Sequence, residues 1–214
     1  GSDDPVCGPP ALAGEGGRLM LISILKDPSQ LRAIDLESGD IVWRQDGAVC
    51  AAVVVRGDTV YAAMESGKVQ ALAADDGQVL WTLDLEAPLT GTPSLADGVL
   101  YIADGAGVLV AARIDSGLEL WRRDLGRRVR SRPALDADRE RLFVAVDGGL
   151  YALSADTGES LWQADFDGLP SHGLFVSADR VAVGSTDRSL YGFDIATGQR
   201  LWRYGTGGIL RASP

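Results

Sequence analysis

The sequence predicts an all-β fold built from one unit repeated five times, and three observations carry that expectation. The first is a recurring stretch: LRAIDLESGDIVW at 31–43, VQALAADDGQVLW at 69–81, LVAARIDSGLELW at 109–121, LYALSADTGESLW at 150–162 and LYGFDIATGQRLW at 190–202. Each joins an apolar, alternating run to a turn closed by Gly, a second short run and a Trp. The second is spacing. The chain's five tryptophans, Trp43, Trp81, Trp121, Trp162 and Trp202, stand 38, 40, 41 and 40 residues apart. The turn glycines, Gly39, Gly77, Gly117, Gly158 and Gly198, each lie four residues before their Trp. A period near 40 made of strands predicts a β-propeller of four-stranded blades. The third is that no stretch of ten or more residues shows a helical period.

Taken in order, the first unit offers strands at 18–24, 31–36 and 41–45, preceded by Pro9-Pro10-Ala11-Leu12. The second offers 50–55, 59–64, 69–73 and 79–83, and the third 91–95, 99–103, 108–113 and 119–123. The fourth offers 129–135, 141–146, 150–154 and 160–164, and the fifth 174–177, 180–184, 190–194 and 200–204. Asp97-Gly98, Asp104-Gly105, Asp147-Gly148 and the Gly-closed turns supply the positive φ that tight hairpins need. Each Trp is the large apolar plug of its unit, expected to pack in the seam between adjacent sheets. The chain ends on Gly208-Ile209-Leu210-Arg211-Ala212-Ser213-Pro214, which matches the start of the fourth unit, Arg128-Val129-Arg130-Ser131-Arg132-Pro133. The expected architecture is therefore five blades closed by the C-terminal strand, which pairs into the first sheet and leaves few edges. The alternative is an arc of a larger ring that stops where a sixth unit begins.

Composition narrows the function. Thirty Asp and Glu face twenty Lys and Arg, a net charge of −10, which argues against nucleic-acid binding. No apolar run reaches the length of a membrane span and no signal peptide is visible. Gly1-Ser2 reads as a cloning scar, leaving one domain over 3–214, with any leader or membrane anchor belonging to a longer parent protein. Cys7 and Cys50 lie 43 residues apart, about one repeat, so they occupy comparable places on neighbouring units. A bridge there would stabilise by roughly 4 kcal/mol and would suit an extracytoplasmic setting; the alternative is two unrelated small residues. His172 is the one histidine, which excludes a multi-His metal site and weakens a Ser-His-Asp arrangement. No phosphate-binding, dinucleotide or nucleophile-elbow motif is present. Turn carboxylates such as Asp27, Asp104, Asp147 and Asp187 are read as solvated turn residues rather than calcium ligands.

One local feature departs from the acidic background. Arg122, Arg123, Arg127, Arg128, Arg130 and Arg132 fall within eleven residues. Alternation puts Arg128, Arg130 and Arg132 on one face of an entering strand. Arg211 matches Arg130 in the repeat, and His172 lies near the equivalent entry of the fifth unit. Converging guanidiniums at the channel mouth would clamp an anion or carboxylate. The alternative is a solvated, salt-bridged basic patch.

The pattern Ala-x-Asp-x-x-x-Gly-x-x-x-Trp is complete at Ala33, Asp35, Gly39 and Trp43. It recurs at Gly192, Asp194, Gly198 and Trp202 with Gly for Ala, and at Ala152, Ser154, Gly158 and Trp162 with Ser for Asp. The second and third units carry Ala73 and Arg113 at the Asp position. This resembles the pyrroloquinoline-quinone (PQQ) repeat with its tryptophan-docking motif, over essentially the whole chain. The repeat occurs in quinoprotein dehydrogenases, in BamB-like envelope scaffolds and in extracytoplasmic sensor domains of bacterial Ser/Thr kinases. What it implies is a bacterial, extracytoplasmic recognition module, neither enzymatic nor cofactor- or metal-bound, that takes a small ligand or a protein partner. A kinase sensor domain is the first expectation and an envelope scaffold binding a protein the alternative. A quinone-dependent dehydrogenase ranks third, because five repeats and two distant cysteines depart from the eight blades and vicinal disulfide of that group.

Overall fold

The computed structural model describes residues 6–25, 29–47, 53–64, 66–89 and 92–208, the side chains of 6–8 and 172 excepted. Short apolar strands joined by tight turns can pair only with their sequence neighbours, and five antiparallel meanders result. Blade 1 comprises β1 (Val6–Ala13), β2 (Leu19–Ile24), β3 (Gln30–Asp35) and β4 (Ile41–Asp46). Blade 2 comprises β5 (Val54–Arg56), β6 (Thr59–Ala63), β7 (Lys68–Ala73) and β8 (Val79–Asp84). Blade 3 comprises β9 (Ser94–Ala96), β10 (Val99–Ala103), β11 (Val108–Arg113) and β12 (Glu119–Asp124). Blade 4 comprises β13 (Ala134–Leu135), β14 (Arg141–Val146), β15 (Gly149–Ser154) and β16 (Ser160–Asp165). Blade 5 comprises β17 (Pro170–Val176), β18 (Arg180–Ser185), β19 (Ser189–Asp194) and β20 (Arg200–Gly205). A short 3-10 turn, Glu15–Gly17, joins β1 to β2. The first strand of each blade is innermost: β1 contacts β5, and β13 contacts β17.

The core lies in the seams. In blades 2 to 4 the middle strands are apolar on both faces because each is covered by a blade on either side. On β14, Leu142, Val144 and Val146 pack toward blade 3, while Phe143 and Ala145 pack toward blade 5. Four apolar clusters result, one in each seam from blade 1–2 to blade 4–5. Each of those seams carries the same lock. The indole N–H donates to a backbone carbonyl of the next blade: Trp43 to Ala74 (2.7 Å), Trp81 to Ile114 (3.0 Å), Trp121 to Ala155 (2.9 Å) and Trp162 to Ile195 (3.0 Å). Three residues beyond each carbonyl stands the turn glycine, whose missing Cβ makes room for the ring. A Cβ on Gly77, Gly117, Gly158 or Gly198 would lie 2.5–2.7 Å from the docked indole. These glycines also adopt φ of +69 to +72°, so two constraints select the same residue.

The fifth-to-first seam lacks that contact. Trp202 is 38% exposed and its N–H meets no acceptor among the described residues. No described atom lies within 4 Å of a Cβ built on Gly39. Trp202 instead lies flat on its own sheet, so close that a Cβ on Gly192 would be 2.1 Å from the ring. The inner position of blade 1 is filled by the chain's own β1, paired with β2. Closure by the C-terminal strand falls on 209–214, outside the described residues, as do Cys50 and the side chain of Cys7, on which the expected bridge depends.

The inner strands also differ from a plain four-strand reading. In blade 1, Cys7 to Ala11 faces only Ser23 to Leu21 of β2, and in blade 5, Pro170 to Leu174 faces only Ser185 to Val183 of β18. The same offset separates Val129, bridged to Val146, from β13. Two extra residues therefore bulge from each of these inner strands, and the strand predicted at 129–135 pairs regularly only at Ala134–Leu135.

Candidate functional site

The bulges re-aim side chains of the inner strands. From Arg128 to Pro133 the chain alternates: Arg128, Arg130 and Arg132 are exposed, whereas Val129, Ser131 and Pro133 are buried. Backbone bonds from Arg130 N to Ala145 O (3.0 Å) and from Asp147 N to Arg128 O (3.0 Å) hold the entry to β14. Where the bulge lifts the chain away, Ser131 Oγ accepts the N–H of Ala145 at 2.9 Å. A hydroxyl thus takes the place of a missing carbonyl.

The exposed arginines then diverge. Arg130 Nε donates to Asp147 Oδ1 at 2.6 Å, and this bond raises the guanidinium pKa further. Arg127 pairs with Asp165 (2.8 Å), and Arg122 with Glu119 (2.9 Å). Arg132 reaches across to blade 3, where its Nε donates to Ser94 Oγ at 3.0 Å. The Ser94 hydroxyl in turn donates to the Pro133 carbonyl, which points its lone pairs at Arg132. Among the described residues no carboxylate pairs with Arg132.

Arg130 and Arg132 line an open cleft of about 620 Å³ between the inner strands of blades 3, 4 and 5. Its other walls are Ser94, Leu95, Pro133, Leu135, Ser171 and Leu174, together with the backbone around them. Ser171 Oγ is buried without a hydrogen-bond partner. Arg132 also borders a second cleft of about 330 Å³, shared with Arg56, Leu95 and an Arg139–Asp97 pair.

Of the five residues expected to clamp an anion, the structure brings Arg130 and Arg132 to one cleft. Arg128 is absent from its lining, although it shares their face, because it sits before the bulge. The His172 side chain and all of Arg211 lie outside what is described. Sequence reasoning passed over Ser94, Ser131 and Ser171; Ser94 was visible only as the residue after Pro93 in a repeat equivalent to Arg132-Pro133-Ala134. The turn carboxylates already serve the protein. Asp104, buried rather than solvated, accepts three backbone N–H groups at 2.8–2.9 Å. Asp187 accepts from Tyr191 (2.6 Å) and Arg203 (2.8 Å); burial opposes its ionisation, but those bonds prevail and lower its pKa. Among the described residues no group of three or more His, Cys, Asp or Glu is placed to hold a metal.

Five four-stranded meanders joined by tryptophan docking define a β-propeller of PQQ-like repeats. A family model described as outer membrane protein assembly factor BamB matches residues 7–123 and again 106–213, and the chain belongs to that family. The BamB of Kangiella koreensis is 30% identical over 73% of this chain and 44% of its own length. The BamB of Shewanella oneidensis is 26% identical over 79% of this chain and 51% of its own. The chain thus spans about half the length of these relatives. The crystal structure of BamB from Moraxella catarrhalis superposes with a TM-score of 0.79 over 94% of this chain and 65% of that one; at 22% identity the likeness is one of fold.

Proposed function

We propose that the chain is a non-enzymatic, protein-binding propeller of the bacterial envelope, a scaffold in outer-membrane protein assembly. The observation that carries this reading is the family match, which runs through both halves of the chain. The relatives named as assembly factors favour it over the sensor domain of a Ser/Thr kinase. The surface supports it as well. Aliphatic residues beside the docking Trp stay exposed on the outermost strand of every blade: Ile41 and Val42, Val79 and Leu80, Leu120, Leu161, and Leu201. An outer strand with an open edge and apolar side chains suits strand addition or groove binding by a protein partner. The partner proposed is a protein component of the assembly apparatus, outside the cytoplasmic membrane.

The test is in-cell photocrosslinking, with a photoreactive residue at Leu80, Leu120 or Leu161 and, as control, at the turn residue Ser38. Adducts with an envelope assembly protein from the outer-strand positions, and not from Ser38, are expected. No such adduct, with quinone-dependent dye reduction by the purified protein, would overturn the reading in favour of an enzyme.

A further inference from the structure

We infer that the cleft around Arg132 is a carboxylate-binding site that accepts an anionic group carried on an apolar body. It lies on the inner strands, apart from the outer strands invoked above, and does not rest on the scaffold reading.

Charge pairing singles out the residue. Of the arginines lining the two adjoining clefts, Arg130 is neutralised by Asp147 and Arg139 by Asp97. Arg132 has no such partner among the described residues. It is nonetheless held in place, since its Nε is fixed by Ser94 Oγ, itself oriented by the Pro133 carbonyl. With Nε occupied, the two terminal nitrogens have no partner among the described residues and remain available for the end-on pair of parallel hydrogen bonds that grips a carboxylate. Much of the ordering cost of such a contact is met before the ligand arrives.

The surroundings select the rest of the ligand. Leu95, Pro133, Leu135 and Leu174 give the 620 Å³ cleft an apolar wall beside the charge. Ser171, whose Oγ is buried without a hydrogen-bond partner, is among the residues that line the cleft. Arg56, which likewise has no carboxylate partner among the described residues, borders the adjoining cleft and adds a second positive charge. On a chain of net charge −10 the two adjoining clefts thus carry unpaired positive charge, which concentrates anions there. A free peptide C-terminus with an aliphatic last residue meets these terms, as does a free branched-chain carboxylate.

The experiment is titration calorimetry with acetyl-Ala-Ala-Leu as the free acid, the same peptide as its C-terminal amide, and 3-methylbutanoate. The free acid is expected to bind, with the amide and the Arg132→Gln variant each weaker by about tenfold or more. Arg132 is exposed, so the variant should keep the parent's melting temperature. Ser94→Ala, which removes the anchor together with its bond to the Pro133 carbonyl, should weaken binding severalfold. Binding by 3-methylbutanoate but not by the peptide assigns the site to small carboxylates and upholds the inference. Equal binding of acid and amide, unchanged affinity in Arg132→Gln, or no binding of any probe would overturn it.

Discussion

At the residue scale the repeat's signature is a set of local solutions to one docking problem. The Asp of the pattern caps the turn: Asp35 Oδ1 accepts from Glu37 N and Ser38 N at 2.9 and 3.0 Å, and Asp194 does the same for Ala196 and Thr197. Ser154 substitutes more weakly, accepting from Thr157 N at 3.3 Å. The backbone bonds from Ser38 and Glu37 lower the Asp35 pKa; for Asp194 the Thr197 hydroxyl leads and backbone bonds follow. A carboxyl with a depressed folded pKa adds stability above its unfolded value, near 3.9, that is lost as pH falls through the folded value. Melting temperature should therefore drop below about pH 4, and less steeply in an Asp35→Asn, Asp194→Asn double variant. The glycine offers a contrast. Gly198→Ala forces Cβ into Trp162 at a positive φ, whereas Gly39→Ala meets open space and incurs the backbone cost alone, about 1–2 kcal/mol. Chemical denaturation should show the larger loss at Gly198.

At the element scale, two features escaped a reading of the sequence. Alternation identified the exposed face of Arg128, Arg130 and Arg132, because period 2 is a local property. It could not reveal the bulge, which consists of two extra inner-strand residues opposite a neighbour with no mark of its own. Hence Arg128 was grouped with a cleft it does not line. The second is Ser131, an ordinary small residue in sequence, whose hydroxyl alone accepts the buried Ala145 N–H across the bulge. Ser131→Ala should cost about 1–3 kcal/mol by stranding that donor. Arg130→Ala breaks a pair whose partners are each about a third exposed, 36% and 35%, and should cost less than about 1 kcal/mol. Equal losses in a denaturant titration would contradict this division between buried bond and surface pair.

At the scale of the whole molecule, periodicity made the architecture legible: five tryptophans at near-equal spacing specify five blades before any strand is placed. It could not distinguish the last repeat from the others. Trp202 carries the full motif, yet its role depends on whether a Gly turn faces it, which is a property of the arrangement and not of the repeat. Trp162→Ala, which removes an indole locked to Ile195, should cost about 3–5 kcal/mol. Trp202→Ala should cost no more than about 2 kcal/mol, since the ring is 38% exposed and its N–H has no acceptor among the described residues. Because each blade touches only its neighbours, hydrogen exchange should be fastest at the outer strand of blade 5 and slowest in β14. Protein recognition by the outer strands, as proposed, is open to direct test. The direct measurement is the level of β-barrel proteins in the outer membrane when the gene is replaced by a Leu80→Glu, Leu120→Glu variant that folds normally. A fall matching that of a gene deletion is the expected result; normal levels in both strains would contradict the scaffold assignment.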